Sequence, residues 1–433
     1  MTIKELVNKI YSRINPGNNP LLTESEVFCM APWIQLHAQT NGKAAPCCMS
    51  SVYDGNEIGD LRENPDLREA WNSANMKQLR LNMLQGKKST ICNHCYSYEK
   101  MGKFSERMQY NQDYKKQYWR VKATMQDGTV QSLDVPLIDI RFSNKCNYKC
   151  RICDSQFSSL WYDEELKTGK IPKLPSTKEM SVADDAVAFW ESYKKFLPGV
   201  KRLHFAGGEP LFMDEHYQSL EHLIEIGNTD VVLSYNTNFS VLRYKRYDIV
   251  ELWNKFKVVD VWASLDMMGE KGDYQRKGQK WEKIEENIRI IQQQCPGVKF
   301  GVNITVSILN VLDIPAFYRH LIDNKLATSD RINLYLLFDP SYMNITQLTP
   351  ALKAEVVKRF DEFDKAYLTT LPDASRARNH IAAVINYMQS ENGDQQNEFR
   401  RWITAIDGTR NEDFLSLFPE LSSLMDDSTV TAL

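Results

Sequence analysis

From about residue 135 the chain alternates two hydrophobic rhythms. Short β-branched and apolar runs predict six strands: 137–142 (LIDIRF), 202–206 (RLHFA), 231–236 (VVLSYN), 258–264 (VVDVWAS), 299–306 (KFGVNITV) and 332–338 (INLYLLF). Between them, 182–196, 214–227, 279–294 and 314–324 carry apolar residues at helical spacing. Strand and helix in alternation imply right-handed βαβ units and a parallel sheet, so the fold class is α/β. Six units are too few for a closed eight-unit barrel and suit an open, partial (β/α)6 barrel.

The flanks read differently. MTIKELVNKIYSRI is mixed in charge and predicts a short amphipathic helix within 1–23, not an export signal. A cysteine-bearing segment covers 24–120. The polar 120–134 stretch, with a turn at Asp127-Gly128, reads as a connector to the strand–helix region at 130–340. Residues 341–433 predict a helical extension, clearest in ALKAEVVKRFDEFDKAY.

Composition narrows the partners. Hydrophobic residues are 42% and charged residues 25%, enough for a sizeable core. Lys plus Arg is 53 and Asp plus Glu 56, a formal net charge of -3, so no nucleic acid partner is expected. No apolar run is long enough for a membrane span, so no membrane is expected either. The expected location is cytoplasmic. There the nine cysteines stay reduced, and reduced cysteines at short spacings point to metal.

Eight of the nine cysteines fall in three groups: Cys29, Cys47 and Cys48; Cys92 and Cys95; Cys146, Cys150 and Cys153. Cys295 stands alone and reads as a small buried hydrophobe. The third group is C-x₃-C-x₂-C directly after the strand LIDIRF. Three thiolates on one loop can hold three corners of a 4Fe–4S cluster and leave the fourth iron without a protein ligand. By spacing alone, a zinc loop remains the alternative.

This triad resembles that of the radical S-adenosylmethionine (radical SAM) superfamily, and further motifs at successive strand ends extend the resemblance. Gly207-Gly208-Glu209-Pro210 is similar to the family's GGEP, which implies a contact to the SAM amino group. Asn236-Thr237-Asn238 is similar to Thr-Asn-Gly, with Phe239 in place of the glycine. Ser264-Leu265-Asp266 is similar to the Ser-x-Asp that meets the ribose and carboxylate. Arg276 falls where the family places an arginine for the SAM carboxylate. Asn303 and Asn310 fall near the adenosine in relatives. Ile152 replaces an aromatic residue common before the third cysteine.

The first cysteines carry a second resemblance. Cys29-x₁₂-Gly42-x₄-Cys47 resembles the opening of SPASM and twitch auxiliary-cluster domains, with the glycine in a hairpin turn. Ile58-Gly59-Asp60-Leu61, Glu69-Ala70-Trp71 and Leu79-Arg80 follow, and Cys92-Asn-His-Cys95 ends the pattern. The resemblance implies a second, auxiliary 4Fe–4S cluster on Cys29, Cys47, Cys92 and Cys95, in a domain placed before the barrel instead of after it. Cys48 is the competing neighbour of Cys47. Four cysteines in two pairs also suit zinc.

Together these features imply an enzyme that reductively cleaves SAM to a 5′-deoxyadenosyl radical and abstracts a substrate hydrogen atom. Oxidation or crosslinking of a peptide or small molecule is the expected outcome, with an electron donor such as flavodoxin or ferredoxin. The alternative is a non-catalytic zinc- or iron–sulfur-binding protein. A non-redox SAM methyltransferase would leave eight cysteines unexplained and lacks a Gly-rich Rossmann turn.

Overall fold

The computed structural model of the protein describes residues 19–52, 55–100, 104–391 and 393–426. The helix expected within 1–23 lies outside the described residues up to residue 18. Pro20–Thr23 form one helical turn, begun by Asn19, whose side chain accepts the Leu21 amide at 3.0 Å.

The described chain divides into two compact units. The first holds the residues up to Ser143, with Met180–Gly207 and Asp214–Leu233. The second holds Asn144–Glu179, Gly208–Met213 and the residues from Ser234 onward.

In the first unit, strands β1 (Gln35–Ala38), β2 (Lys43–Ala45) and β3 (Gly59–Asp60) extend the edge of β4 (Leu137–Ile140). β1 runs parallel to β4 and antiparallel to β2. The β1–β2 hairpin turns at Gly42, whose φ of +86° favours glycine. A Cβ there would also lie 2.4 Å from Arg62 Cγ. Trp33, Trp71 and Met76 are fully buried between the helical turn Ala31–Ile34, helix Leu67–Trp71 and helix Ala74–Leu84.

The 120–134 connector has its expected turn, with Gly128 at φ +88°. It is laced to the cysteine-bearing segment: Trp71 Nε1 donates to Ser132 O at 3.1 Å and Asn72 Nδ2 to Val130 O at 3.0 Å.

The second unit contains β5 (Lys149–Cys150), which pairs with β11 (Arg276–Lys277). β6 (Arg202–Phe205) belongs to the first unit, parallel to β4. β7 (Val232–Thr237) begins in the first unit and ends in the second. β8 (Arg243–Tyr244) and β9 (Tyr247–Asp248) form a short hairpin. β10 (Val258–Ser264), β12 (Val298–Val306) and β13 (Ile332–Leu336) are parallel neighbours.

β10 explains the arrangement. Val259, Val261 and Ala263 are fully buried, while Asp260, Trp262 and Ser264 are half-buried, so the period of two separates a packed face from a polar one. Helices Trp281–Gln294 and Ile314–Asp323 follow in the expected places. The helix expected over 182–196 is shorter, Ala186–Lys194, because the Asp185 side chain accepts the Ala188 amide and starts it there.

Among the described residues the C-terminal region holds helices Pro350–Ala366, Ser375–Met388 and Gln396–Arg410 and the short helix Phe414–Leu417. The second lies against β13, where His380 Nδ1 accepts the Leu334 amide at 3.3 Å and covers the sheet edge. No helix among the described residues is long and apolar enough to cross a membrane.

Candidate functional site

The Cys146–Cys153 loop is held from several sides, all within the second unit. Asn144, fully buried, donates to Ser155 O at 2.7 Å and Lys178 O at 3.0 Å. The Tyr148 amide donates to Cys146 Sγ at 3.4 Å, and Trp161 Nε1 donates to Cys150 O at 3.1 Å. The Arg151 amide donates to Gln275 O at 2.7 Å. Arg151 itself points away from the thiols, paired with Asp407 and Glu412 and 3.6 Å above the Tyr274 ring. A residue inside the cysteine motif thus anchors the C-terminal region.

The β5–β11 ladder sets Arg276 opposite Cys150. Arg276 Nη1 lies 3.6 Å from the Cys150 thiol and its Nε 2.8 Å from Asp266 Oδ2. A hydrogen bond from the Cys153 thiol, opposed by burial and aided by this guanidinium, brings the Cys150 thiol down to about 7. Burial pushes the Cys146 thiol up, and the Cys150–Cys153 hydrogen bond does the same to Cys153.

Glu209 is buried, and its carboxylate is already held by protein donors. It accepts from Thr237 Oγ1 at 2.6 Å, the Asn238 amide at 2.7 Å and the Leu211 amide at 3.0 Å. It therefore ties the GGEP turn to the end of β7. Burial raises its pKa to about 7 against these donors. Gly208 has a backbone role: a Cβ there would sit 2.1 Å from Lys145 O. At Gly207, φ is +111°.

Asn238 Nδ2 donates to Asn147 Oδ1 at 2.8 Å, which links the third strand end to the cysteine loop. Phe239 has a left-handed backbone, at φ +57°, a region that favours glycine. Its ring is fully buried, 5.1 Å from Phe300. Ser264 and Asn303 are cross-strand partners, and Asn303 accepts from Asn333 Nδ2 at 2.9 Å. Asn310 donates to Thr305 O at 2.9 Å and to Asp266 O at 3.3 Å, so it braces Asp266. The second unit therefore gathers the triad, Glu209, Asn238, Ser264, Asp266, Arg276 and Asn303.

The auxiliary cysteines meet in the first unit. Cys29, Cys47, Cys92 and Cys95 line one small closed cavity with Met83, Ile91, Arg107 and Tyr110. Cys48 does not line it, and burial pushes its thiol up. Burial pushes all four thiols up, Cys47 to about 12, so their ionised forms need a compensating cationic centre. A single zinc ion wants four sulfurs about 2.3 Å from one point. The four thiols line one cavity, and their sulfur donors suit a protein-ligated 4Fe–4S cluster.

Sequence reasoning missed Arg107, Tyr110 and Asn111. Arg107 Nη1 donates to Phe28 O and Ser25 O, both at 2.8 Å. Asn111 accepts the Met30 amide at 2.9 Å. Both clamp the Cys29 loop. Their i, i+3, i+4 spacing on helix Glu106–Asp113 was the available signal.

Residues 140–319 match the family model described as the radical SAM superfamily. Residues 29–96 match SPASM, described as an iron–sulfur cluster-binding domain. No curated protein matches the chain. Among solved structures, the chain is similar to native anSMEcpe with bound AdoMet and Cp18Cys peptide, at 17% identity over 54% of this chain and 60% of that one, TM-score 0.36. It is similar to SuiB of Streptococcus suis bound to precursor peptide SuiA, at 15% identity over 68% and 63%, TM-score 0.37. TsrM of Kitasatospora setae, a radical SAM methyltransferase, gives 14% identity over 47% and 36%, TM-score 0.30. The chain thus spans less than two thirds of the length of the structures it resembles.

Proposed function

We propose, from the match of residues 140–319 to the radical SAM superfamily model and of residues 29–96 to SPASM, that the chain is a radical SAM enzyme that cleaves SAM reductively and oxidises or crosslinks a peptide or small molecule. A 4Fe–4S cluster and SAM, when bound, supply the 5′-deoxyadenosyl radical that takes the substrate hydrogen. The protein's own residues bind and orient. Cys146, Cys150 and Cys153 would hold three irons. Arg276, Asp266, Ser264 and Asn303 offer charged and polar groups that would meet the SAM carboxylate and ribose, and the Gly208 backbone would meet its amino group. Glu209 and Asn238 fix that turn against the cysteine loop.

The observation that carries this reading is the gathering of the triad, Glu209, Asp266 and Arg276 within one unit, with Arg276 touching both Cys150 and Asp266. Cys29, Cys47, Cys92 and Cys95 would ligate the auxiliary cluster, which favours a net oxidation or a crosslink because such a cluster can accept an electron. We further propose a cytoplasmic location and a flavodoxin- or ferredoxin-type electron donor, which low-potential cluster chemistry requires.

Iron counting after anaerobic reconstitution tests this. Two clusters predict roughly eight irons per chain. Replacing Cys146, Cys150 and Cys153 by Ala should remove about half. Zinc in place of iron, or no iron lost from that variant, would overturn the reading.

A further inference from the structure

In the second unit, Cys150 and Arg276 lie 126 residues apart in the chain. They meet in a ladder of only two residue pairs, Arg276 with Cys150 and Lys277 with Lys149. A ladder that short is marginal by itself. Arg151 adds two crossings: its amide donates to Gln275 O at 2.7 Å and its Nε to Tyr274 O at 3.0 Å. Further support comes from the C-terminal region.

Helix Gln396–Arg410 ends there in a clasp. Asn411 turns the chain out of the helix with a left-handed backbone, at φ +52°, and the Glu412 amide donates back to Asp407 O at 3.0 Å. This turn brings Glu412 beside Asp407, and both carboxylates close on the Arg151 guanidinium, at 2.6 and 2.5 Å. Asp407 also accepts the Tyr274 hydroxyl at 2.8 Å, and Glu412 pairs with Lys277 at 2.8 Å. Each carboxylate thus joins the cysteine side of the ladder to the arginine side. Arg410 grips the cysteine side as well. Its Nη2 donates to Lys149 O at 2.9 Å and pairs with Glu164 at 2.8 Å, and Glu164 pairs in turn with Lys149. Arg151, Arg410 and Glu164 are almost wholly buried. Buried ion pairs stabilise little compared with apolar packing of the same volume, so a network of this size is better accounted for by the geometry it fixes.

We propose that Asp407 and Glu412 are positioning residues for the SAM site: by holding Arg151, Tyr274 and Lys277 they set the register in which Arg276 meets Cys150 and, when SAM is bound, its carboxylate. The inference rests on the reading of Cys146, Cys150 and Cys153 as cluster ligands. Both carboxylates act through the ladder. Three thiolates on one loop can hold iron without it. Arg276 comes from the far strand and meets them only while the ladder holds. The clasp therefore separates two properties: iron content, which it leaves, and SAM affinity, which it sets.

The test uses the anaerobically reconstituted full chain carrying Asp407→Asn, Glu412→Gln or both. Three readouts are taken: iron per chain, SAM affinity by equilibrium dialysis, and the paramagnetic resonance of the dithionite-reduced protein with and without SAM. Each substitution keeps the shape and removes the charge. Iron should stay at the parent level. SAM affinity should fall about tenfold or more, the usual scale for removing a group that supports a ligand-holding residue. The change that SAM induces in the triad's signal should shrink with it. Asp407→Glu keeps the charge and should retain part of the affinity. Val384→Ala, in the buried face of helix Ser375–Met388, removes packing away from the clasp. It should lower Tm and leave SAM affinity at the parent value. Parent affinity in the iron-replete double variant, a loss of affinity that Val384→Ala shares, or loss of triad iron from both single variants overturns the proposal. A parent protein that holds no triad iron, or holds it and binds no SAM, overturns instead the reading beneath it.

Discussion

Arg276 joins Cys150 to Asp266: its Nη1 is 3.6 Å from the thiol and its Nε 2.8 Å from the carboxylate. All three are buried. Removing one partner of a buried pair strands the other, at a cost of about 3–5 kcal/mol. Arg276→Ala is expected to lower the unfolding free energy by that amount in denaturant titrations. Arg276→Lys keeps the charge but loses the planar fork that reaches both partners, so it should recover only part. A loss under about 1 kcal/mol, the level of an exposed pair, would contradict the pairing.

Glu209 makes a pH-dependent contribution. Its folded pKa, about 7, is raised from an ordinary 4.5 by burial. An acid raised on folding favours the protonated form. Its stabilising effect is complete below 4.5 and is lost as pH climbs through about 7. Glu209→Gln cannot ionise. Relative to the parent, the variant should therefore gain about 3 kcal/mol between roughly pH 4 and pH 8, at about 1.36 kcal/mol per unit. Parallel denaturation curves at both pH values read this directly. No relative change would place Glu209 in water.

Phe239 poses a contest of two magnitudes. Its left-handed backbone stores about 1–3 kcal/mol of strain, which Phe239→Gly would relieve. Losing a buried phenyl ring costs about 3–5 kcal/mol. The cavity wins, so Phe239→Gly should destabilise by about 2 kcal/mol net, and Phe239→Ala by more, since it keeps the strain. Thermal melts of both variants give the order.

Arg80 is buried under Trp71, its guanidinium 4.5 Å from the ring. It donates to Pro32 O at 2.9 Å, Trp71 O at 2.9 Å and Gly128 O at 3.3 Å. Pro32 also borders the auxiliary cavity. Arg80→Ala leaves these carbonyls without donors, at about 1–3 kcal/mol each. The expected outcome is loss of auxiliary iron with retention of the triad's share, measured as iron per chain before and after Arg80→Ala.

Much of this was legible in the chain because periodicity and cysteine spacing are local. The 258–264 run is a strand over its whole length, since Val259, Val261 and Ala263 alternate with Asp260, Trp262 and Ser264. Strand-end polar residues could be placed because each follows its own strand. The clasp on Arg151 could not: Asp407 and Glu412 lie 256 and 261 residues further along the chain. Arg107 was hidden for a similar reason, since it reaches back 79 residues to Phe28. Glu209 was placed correctly in its turn. That its carboxylate would be taken up by Thr237, Asn238 and Leu211 depends on how two strand ends meet.

The central claim is radical chemistry at the triad. Anaerobically reconstituted protein, incubated with SAM and dithionite, should form 5′-deoxyadenosine. The variant with Cys146, Cys150 and Cys153 replaced by Ala should form none while keeping its auxiliary iron. Wild-type protein with both clusters loaded and no 5′-deoxyadenosine formed would contradict the account.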